Sequence, residues 1–278
     1  MKLWDKNNSV NEKIIEFTVG DDRLNDLYLI KYDIKASISH AKMLHRSNLL
    51  SETECDKIIK ILNEILIHAE AGKLKIEKEF EDMHSKIEFV LTDKLGDIGK
   101  KIHTARSRND QVLVSIQLYL IDELNFIKTD VKSLFDLLIN LAKKNKNIIM
   151  PGYTHMRAAM PSSFGLWFSA YAEILIDDVI SLNSTIEIIN QNTLGSAAGY
   201  GTSFNIDRDF TTNDLNFKTL KYNSLACQIS RNKIEKNTFD TLGNIAFTLS
   251  KISMDICLYY GDEFQFISFP ENITTGSS

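Results

Sequence analysis

Four short polar segments carry the residue types that acid–base chemistry and anion binding need. They are Glu81-Asp82-Met83-His84, residues 103–111 (HTARSRNDQ), Gly152-Tyr153-Thr154-His155 and Thr274-Thr275-Gly276-Ser277-Ser278. The second gathers two arginines, an asparagine and hydroxyls, an inventory suited to holding a carboxylate. The same stretch also reads as a solvated turn with a helix cap, and both readings stay open. His155 has the side chain for general acid–base work. The commoner case is a surface histidine or a satisfied core one, although Pro151, Gly152 and Pro161 stiffen its loop. Ser277, after a glycine, reads by itself as a flexible-loop residue. Glu81, Asp82 and His84 could ligate a metal, but no other His or Cys stands at ligand spacing, so a charged helix face is the competing reading. No phosphate-binding glycine loop, dinucleotide fingerprint, HExxH or GxSxG occurs. Nucleotide, zinc-protease and α/β-hydrolase chemistries lose their usual support.

Long helices must position these segments. Leu113, Ile116, Leu120, Leu124, Ile127, Val131, Leu134, Leu138 and Leu141 alternate spacings of three and four, one side of a long helix. Asp110 stands where it could cap the start. A second stripe is Phe168, Ala172, Leu175, Val179, Leu182, Ile186 and Ile189; a third is Leu242, Ile245, Leu249, Ile252, Ile256 and Tyr259. The pattern predicts helices near 113–143, 163–190 and 231–261, packed as a bundle with nearly parallel axes. Shorter helices are expected over about 22–46, 52–71 and 80–95. Residues 192–222 hold three glycines and break the periodicity, a long connection of the kind that is more often functional than idle.

Composition narrows the partners. Lysine and arginine number 32 against 37 aspartates and glutamates, a net charge of −5. With no basic tail, nucleic acid and anionic membrane are not expected partners. No apolar run is long enough to span a membrane and the N-terminus has no apolar leader core. Cys55, Cys227 and Cys257 are scattered and odd in number, which suits reduced thiols and a cytoplasmic location.

Together the four segments resemble the argininosuccinate lyases of the fumarase/aspartase superfamily. Residues 102–112 (IHTARSRNDQV) resemble LHTGRSRNDQV, residues 150–157 (MPGYTHMR) resemble MPGYTHLQ, and Glu81-Asp82-Met83-His84 resembles EDIH. Gly276-Ser277-Ser278 resembles the opening of the GSSxMPxKxNP loop. The RSRNDQ string is what separates these enzymes from adenylosuccinate lyase, fumarase and aspartase. The sequence departs from the family at residues 156–160, where a polar Gln, Arg and Gln run has become Arg157, Ala158 and Met160.

The resemblance implies a mainly α fold, with a smaller N-terminal helical domain over residues 1–105 and a long-helix bundle over 106–278 whose C-terminal part lies beyond Ser278. It implies reversible β-elimination of argininosuccinate to arginine and fumarate, with no cofactor and no metal. His155 and Ser277 become the catalytic pair. Ser107, Arg108, Asn109, Thr154, Asp82, His84 and, less directly, Thr18 become substrate-binding residues. The implied assembly is a homotetramer with sites shared between subunits, which also suits apolar stripes too long for one chain to cover. Two alternatives stand beside it: another superfamily lyase of the adenylosuccinate type, and an inactive structural or assembly piece of the same fold. A chain ending at Ser278 is expected to lack appreciable activity, because the loop's lysine and asparagine follow that point in the family.

Overall fold

Several helix starts in this chain are written by side chains that accept backbone N–H groups. The computed structural model describes residues 12–276. Ser51 opens α3 (Glu52–Glu70) with a full capping box, its hydroxyl accepting from Glu54 N while Glu54 accepts from Ser51 N at 3.0 Å. Asp82 opens α4 (Met83–Leu95), accepting from Ser85 N at 2.7 Å. These follow α1 (Glu12–Val19) and α2 (Asp22–Arg46). A short α5 (Asp97–Lys100) turns tightly beneath α4: a Cβ on Gly99 would stand 2.3 Å from the Leu91 carbonyl oxygen, so only glycine fits.

The long helices are α6 (Arg108–Asn145), α7 (Phe164–Ile189) and α10 (Lys233–Tyr260). All three stand where the apolar spacing predicts them. Short helix α8 (Arg208–Asp214) interrupts the connection expected to be irregular, α9 (Ser224–Ile229) follows it, and two-residue strands β3 (Gln191–Asn192) and β4 (Thr219–Leu220) pair in parallel. Between α6 and α7 the chain forms an antiparallel hairpin, β1 (Ile149–Thr154) and β2 (Arg157–Ser163). The prolines suggested a stiff loop there. They instead face each other across the ladder, Pro151 opposite Pro161, in a two-stranded ribbon where missing N–H donors are tolerated.

The residues form two compact units, one running to Asp122 and resuming over Glu187–Lys233, the other comprising Glu123–Ile186 and the chain from Ile234. In the first unit α2 is the central helix. Ile34, Ala36, Ala41 and Leu44 are wholly buried, and Ile58, Leu62, Leu91 and Ile102 pack into the same core. Burial on nearly all sides along its second half explains why α2 shows no clean apolar stripe.

In the second unit α7 buries Ala172, Leu175 and Leu182 as its spacing predicts. The buried face of α10 differs from the expected apolar stripe. It is Ile234, Thr238, Thr241, Ile245 and Thr248, while Leu249 turns outward. Facing hydroxyls and a carboxylate explain the threonines: Thr241 meets Thr185 at 2.7 Å, and Thr248 donates to Asp178 at 2.7 Å. A threonine supplies both a methyl to pack and the donor that a buried carboxylate requires. Among the described residues no helix is long and apolar enough to cross a membrane.

Candidate active site

The start of α6 is built from its own side chains. A short 3-10 turn, Lys101–His103, precedes it, and Ala105 adopts a left-handed φ of +58° to swing the chain into the helix. Asn109 N then donates to the Ser107 hydroxyl at 3.2 Å, and Ser107 N donates to Asp110 at 2.9 Å. This is the reciprocal logic of a capping box, with Ser107 as the cap and Asp110 closing it from inside. Asp110 therefore acts at the helix start, though not as the cap residue itself. Its second oxygen accepts from Gly195 N and Ala197 N, both at 2.9 Å, so one buried carboxylate fastens the irregular loop to the head of α6. Gly195 has φ +86° and no room for a Cβ, with Arg208 Cγ 2.8 Å from where it would stand.

Around that helix start the first unit brings several expected site residues together. Arg108 pairs with Asp82 and donates to the Ser85 hydroxyl at 3.0 Å. Asp82 thus caps α4 and anchors the arginine at once. Ser107 is half-buried, and Asn109 is exposed with its amide donating to the Ser107 hydroxyl at 3.2 Å. Arg231 reaches in to donate to the Asn109 carbonyl oxygen at 3.0 Å. The positive end of the helix, with the Arg108 and Arg231 guanidinium groups beside it, favours an anion.

His84 lies beneath this surface. It is buried, with Nδ1 3.2 Å from Asp33, itself wholly buried. Asp33 also accepts from Gln111 at 2.9 Å and from the Ser115 hydroxyl at 3.3 Å. Burial pushes the Asp33 carboxyl up, but the His84 charge and hydrogen bond, with Arg106 and Gln111, outweigh it and hold the group below its ordinary value. Burial likewise opposes charge on His84, yet Asp33, Asp82 and Asp26 raise the imidazole above its ordinary value. The result is an ion pair joining α2, α4 and α6. Arg106 is half-buried nearby, donating to the Ser37 hydroxyl at 2.8 Å. Burial of His40, with Arg106 close by, brings its imidazole down to about 3 and keeps it neutral, bonded at 2.9 Å to the Thr104 carbonyl oxygen.

Asp26, Asp33 and Arg231 escape a reading by local motif. Asp26 accepts from Met83 N at 2.8 Å, beside Asp82 and His84. A signal was nonetheless present: Asp26, Asp33, Ser37 and His40 recur at helical spacing along α2, a polar line inside a helix that is otherwise core.

The remaining expected residues stand elsewhere. Thr154 and His155 belong to the second unit, exposed at the tip of the β1–β2 hairpin. His155 and Met156 both have left-handed φ, +54° and +62°, the signature of a two-residue hairpin turn. Thr18 is exposed on α1, its hydroxyl donating to Ile14 O at 2.9 Å. Ser277 lies outside the described residues. No group of three or more His, Cys, Asp or Glu among the described residues is arranged to hold a metal ion.

Known proteins share this pattern. A family model described as a lyase matches residues 16–278. The argininosuccinate lyase of Thermotoga neapolitana is 44% identical over 277 residues, covering 100% of this chain and 70% of its own length. The chain belongs to the argininosuccinate lyase family. The family member from Phocaeicola vulgatus is 48% identical over 277 residues, and the chain spans 62% of that relative's length. Among solved structures, an EDDS lyase variant with bound fumarate superposes with a TM-score of 0.78 at 25% identity, over 86% of this chain and 46% of that one. The fold is therefore that of the fumarase-type lyases.

Proposed function

We propose that the protein is an argininosuccinate lyase, cleaving argininosuccinate reversibly to arginine and fumarate. The observation that carries the reading is the head of α6, where Ser107 and Asn109 are presented over a buried ionic joint, within a chain 48% identical to a family member throughout its length. The chemistry is a β-elimination. A base takes the proton from the carbon beside one succinyl carboxylate, the electron pair moves into the new C=C bond, and the C–N bond breaks as the guanidino nitrogen takes a proton. Negative charge builds on that carboxyl group, so donors must already be in place around it.

In this reading Ser277 takes the carbon-bound proton and His155 completes the acid–base machinery. Ser107, Arg108, Asn109 and Thr154 bind the substrate's carboxylates and polar groups. Asp82 and His84 serve the same pocket by fixing Arg108 and the head of α6, and Thr18 completes the substrate side. No cofactor is called for, because the leaving nitrogen belongs to a guanidino group, which takes the electron pair of the C–N bond and a proton and departs as a guanidinium.

Sites shared among subunits of a homotetramer fit the exposed apolar residues of the second unit. Phe126, Ile180, Phe239 and Phe247 are all more than half exposed, and an apolar groove of about 460 Å3 lies along Val131, Phe135, Ile176 and Val179. Exposed apolar surface of this kind suits contact with another subunit.

The test is a spectrophotometric panel for fumarate release from argininosuccinate, adenylosuccinate, malate and aspartate. Release from argininosuccinate alone supports the reading, and preference for another substrate overturns it. Mixing an inactive Ser277→Ala variant with an inactive His155→Asn variant should restore part of the activity if sites are shared. Mixed oligomers that form and stay inactive would refute the sharing.

A further inference from the structure

The hairpin that carries Thr154 and His155 is backed by aromatic rings. A register shift between Gly152 and Tyr153 breaks the ladder just before the tip. The Tyr153 ring there meets Phe264 edge-on, centroids 5.2 Å apart at 88°, and lies 6.5 Å from Phe266. Phe264 and Phe266 pack in turn on Tyr259, at 6.1 and 5.5 Å, and Tyr259 packs on Trp167 at 5.1 Å. Asp255 pins the base of this stack by accepting from Trp167 Nε1 at 2.9 Å and Tyr171 OH at 2.6 Å.

The phenylalanines come from the segment that follows α10. It doubles back through Gln265, whose φ is +50°, and Phe266 N donates to the Tyr259 carbonyl oxygen at 2.8 Å. Phe269 then packs on Tyr260 at 5.1 Å. The same segment runs on to Gly276, the residue before Ser277.

We propose that this clasp is a positioning device for the reaction, with Phe264 as its keystone. Phe264 sets the orientation of the hairpin tip through Tyr153 and ties that tip to the segment leading to Ser277. An edge-to-face ring pair fixes an angle as well as a distance, which aliphatic packing does not. Orientation matters because displacing a reacting group by about 1 Å can cost about a hundredfold in rate. The inference rests on the lyase reading for its catalytic consequence, while the clasp itself is a matter of packing.

Phe264→Ala in the active protein is expected to lower kcat for argininosuccinate about ten- to hundredfold and to raise KM at least about threefold. Phe264→Tyr, which keeps the ring, should return both to near the parent values. Ile245→Ala provides the structural control, because Ile245 is buried in α10 among the threonine seam. That variant should lose stability and active fraction with KM unchanged. Hydrogen exchange supplies a readout independent of turnover: amides of residues 153–157 should exchange about tenfold faster in Phe264→Ala, as should those of Phe266 and Ile267 in Tyr153→Ala. Unchanged KM together with unchanged hairpin exchange in Phe264→Ala would overturn the proposal. If a protein that carries the complete GSSxMPxKxNP loop releases no fumarate, the lyase reading fails, and the exchange data alone decide whether the clasp exists.

Discussion

His84 and His155 present the same side chain in opposite settings. His84 is buried in the first unit, paired with a wholly buried carboxylate and tied through it to α2 and α6. His155 stands exposed at a hairpin tip in the second unit, on backbone that leans into the left-handed region. The first histidine is bound into the stability of its unit. The second is supported by rings behind it and leaves its imidazole to solvent. Removing either should therefore damage the protein in different ways: one through folding, the other through chemistry.

The sharpest break of that comparison is His155→Asn. Asparagine tolerates left-handed φ, so the turn should keep its shape. In a protein that carries the complete GSSxMPxKxNP loop, we expect kcat for argininosuccinate to fall about 10²- to 10⁴-fold with the melting temperature unchanged. A raised KM with near-normal kcat would make His155 a binding residue instead. Asp33→Ala is the matching test in the first unit. It leaves a buried imidazolium without its partner, which should cost about 3–5 kcal/mol in urea denaturation. A loss below about 1 kcal/mol would mean the pair is not formed in solution.

Acidity separates the two histidines further. The raised pKa of His84 means its contribution is complete below the ordinary imidazole value of 6.5 and fades as pH rises through its higher folded value. The lowered pKa of Asp33 means its contribution is complete above the ordinary carboxylate value of 3.8 and fades as pH falls through its lower folded value. Stability from the joint should then be greatest between 3.8 and 6.5 and decline on both sides. Melting temperatures across pH should show that decline on the alkaline side in the parent and not in His84→Gln. The smallest effect should come from Met156→Gly. Relieving a left-handed methionine should stabilise the hairpin by about 1 kcal/mol. A destabilised variant would show that the methionine side chain itself holds the turn.

The two units also differ in how much of them could be read in advance. The bundle helices were legible because Leu124, Val131 and Leu138, or Leu175 and Leu182, repeat at spacings only a helix satisfies. The hairpin was not, because Pro151, Gly152 and the run Ala158-Ala159-Met160-Pro161 show no strand alternation, and its turn places His155 and Met156, neither of them a glycine, at left-handed φ. The head of α6 was legible as a local cluster of Ser107, Arg108 and Asn109. Its support was not: Asp33 lies 78 residues from Gln111, and Asp26 lies 57 from Met83. Local residue types announce a site. The partners that hold it are fixed only by the folded topology.

The double duty of Asp110 carries a consequence for how the molecule assembles in time. One oxygen closes a turn three residues long, while the other waits for amides 85 and 87 residues downstream. The near bond can form within the first turn of the nascent helix, whereas the far ones must await closure of a long loop, whose entropy has to be lost first. Asp110→Asn should accordingly leave the refolding rate almost unaltered and quicken unfolding, the kinetic mark of a latch that engages after the rate-limiting barrier. On this reading the head of α6 is drafted early and locked late, and the carboxylate that does both should lengthen the lifetime of the native first unit.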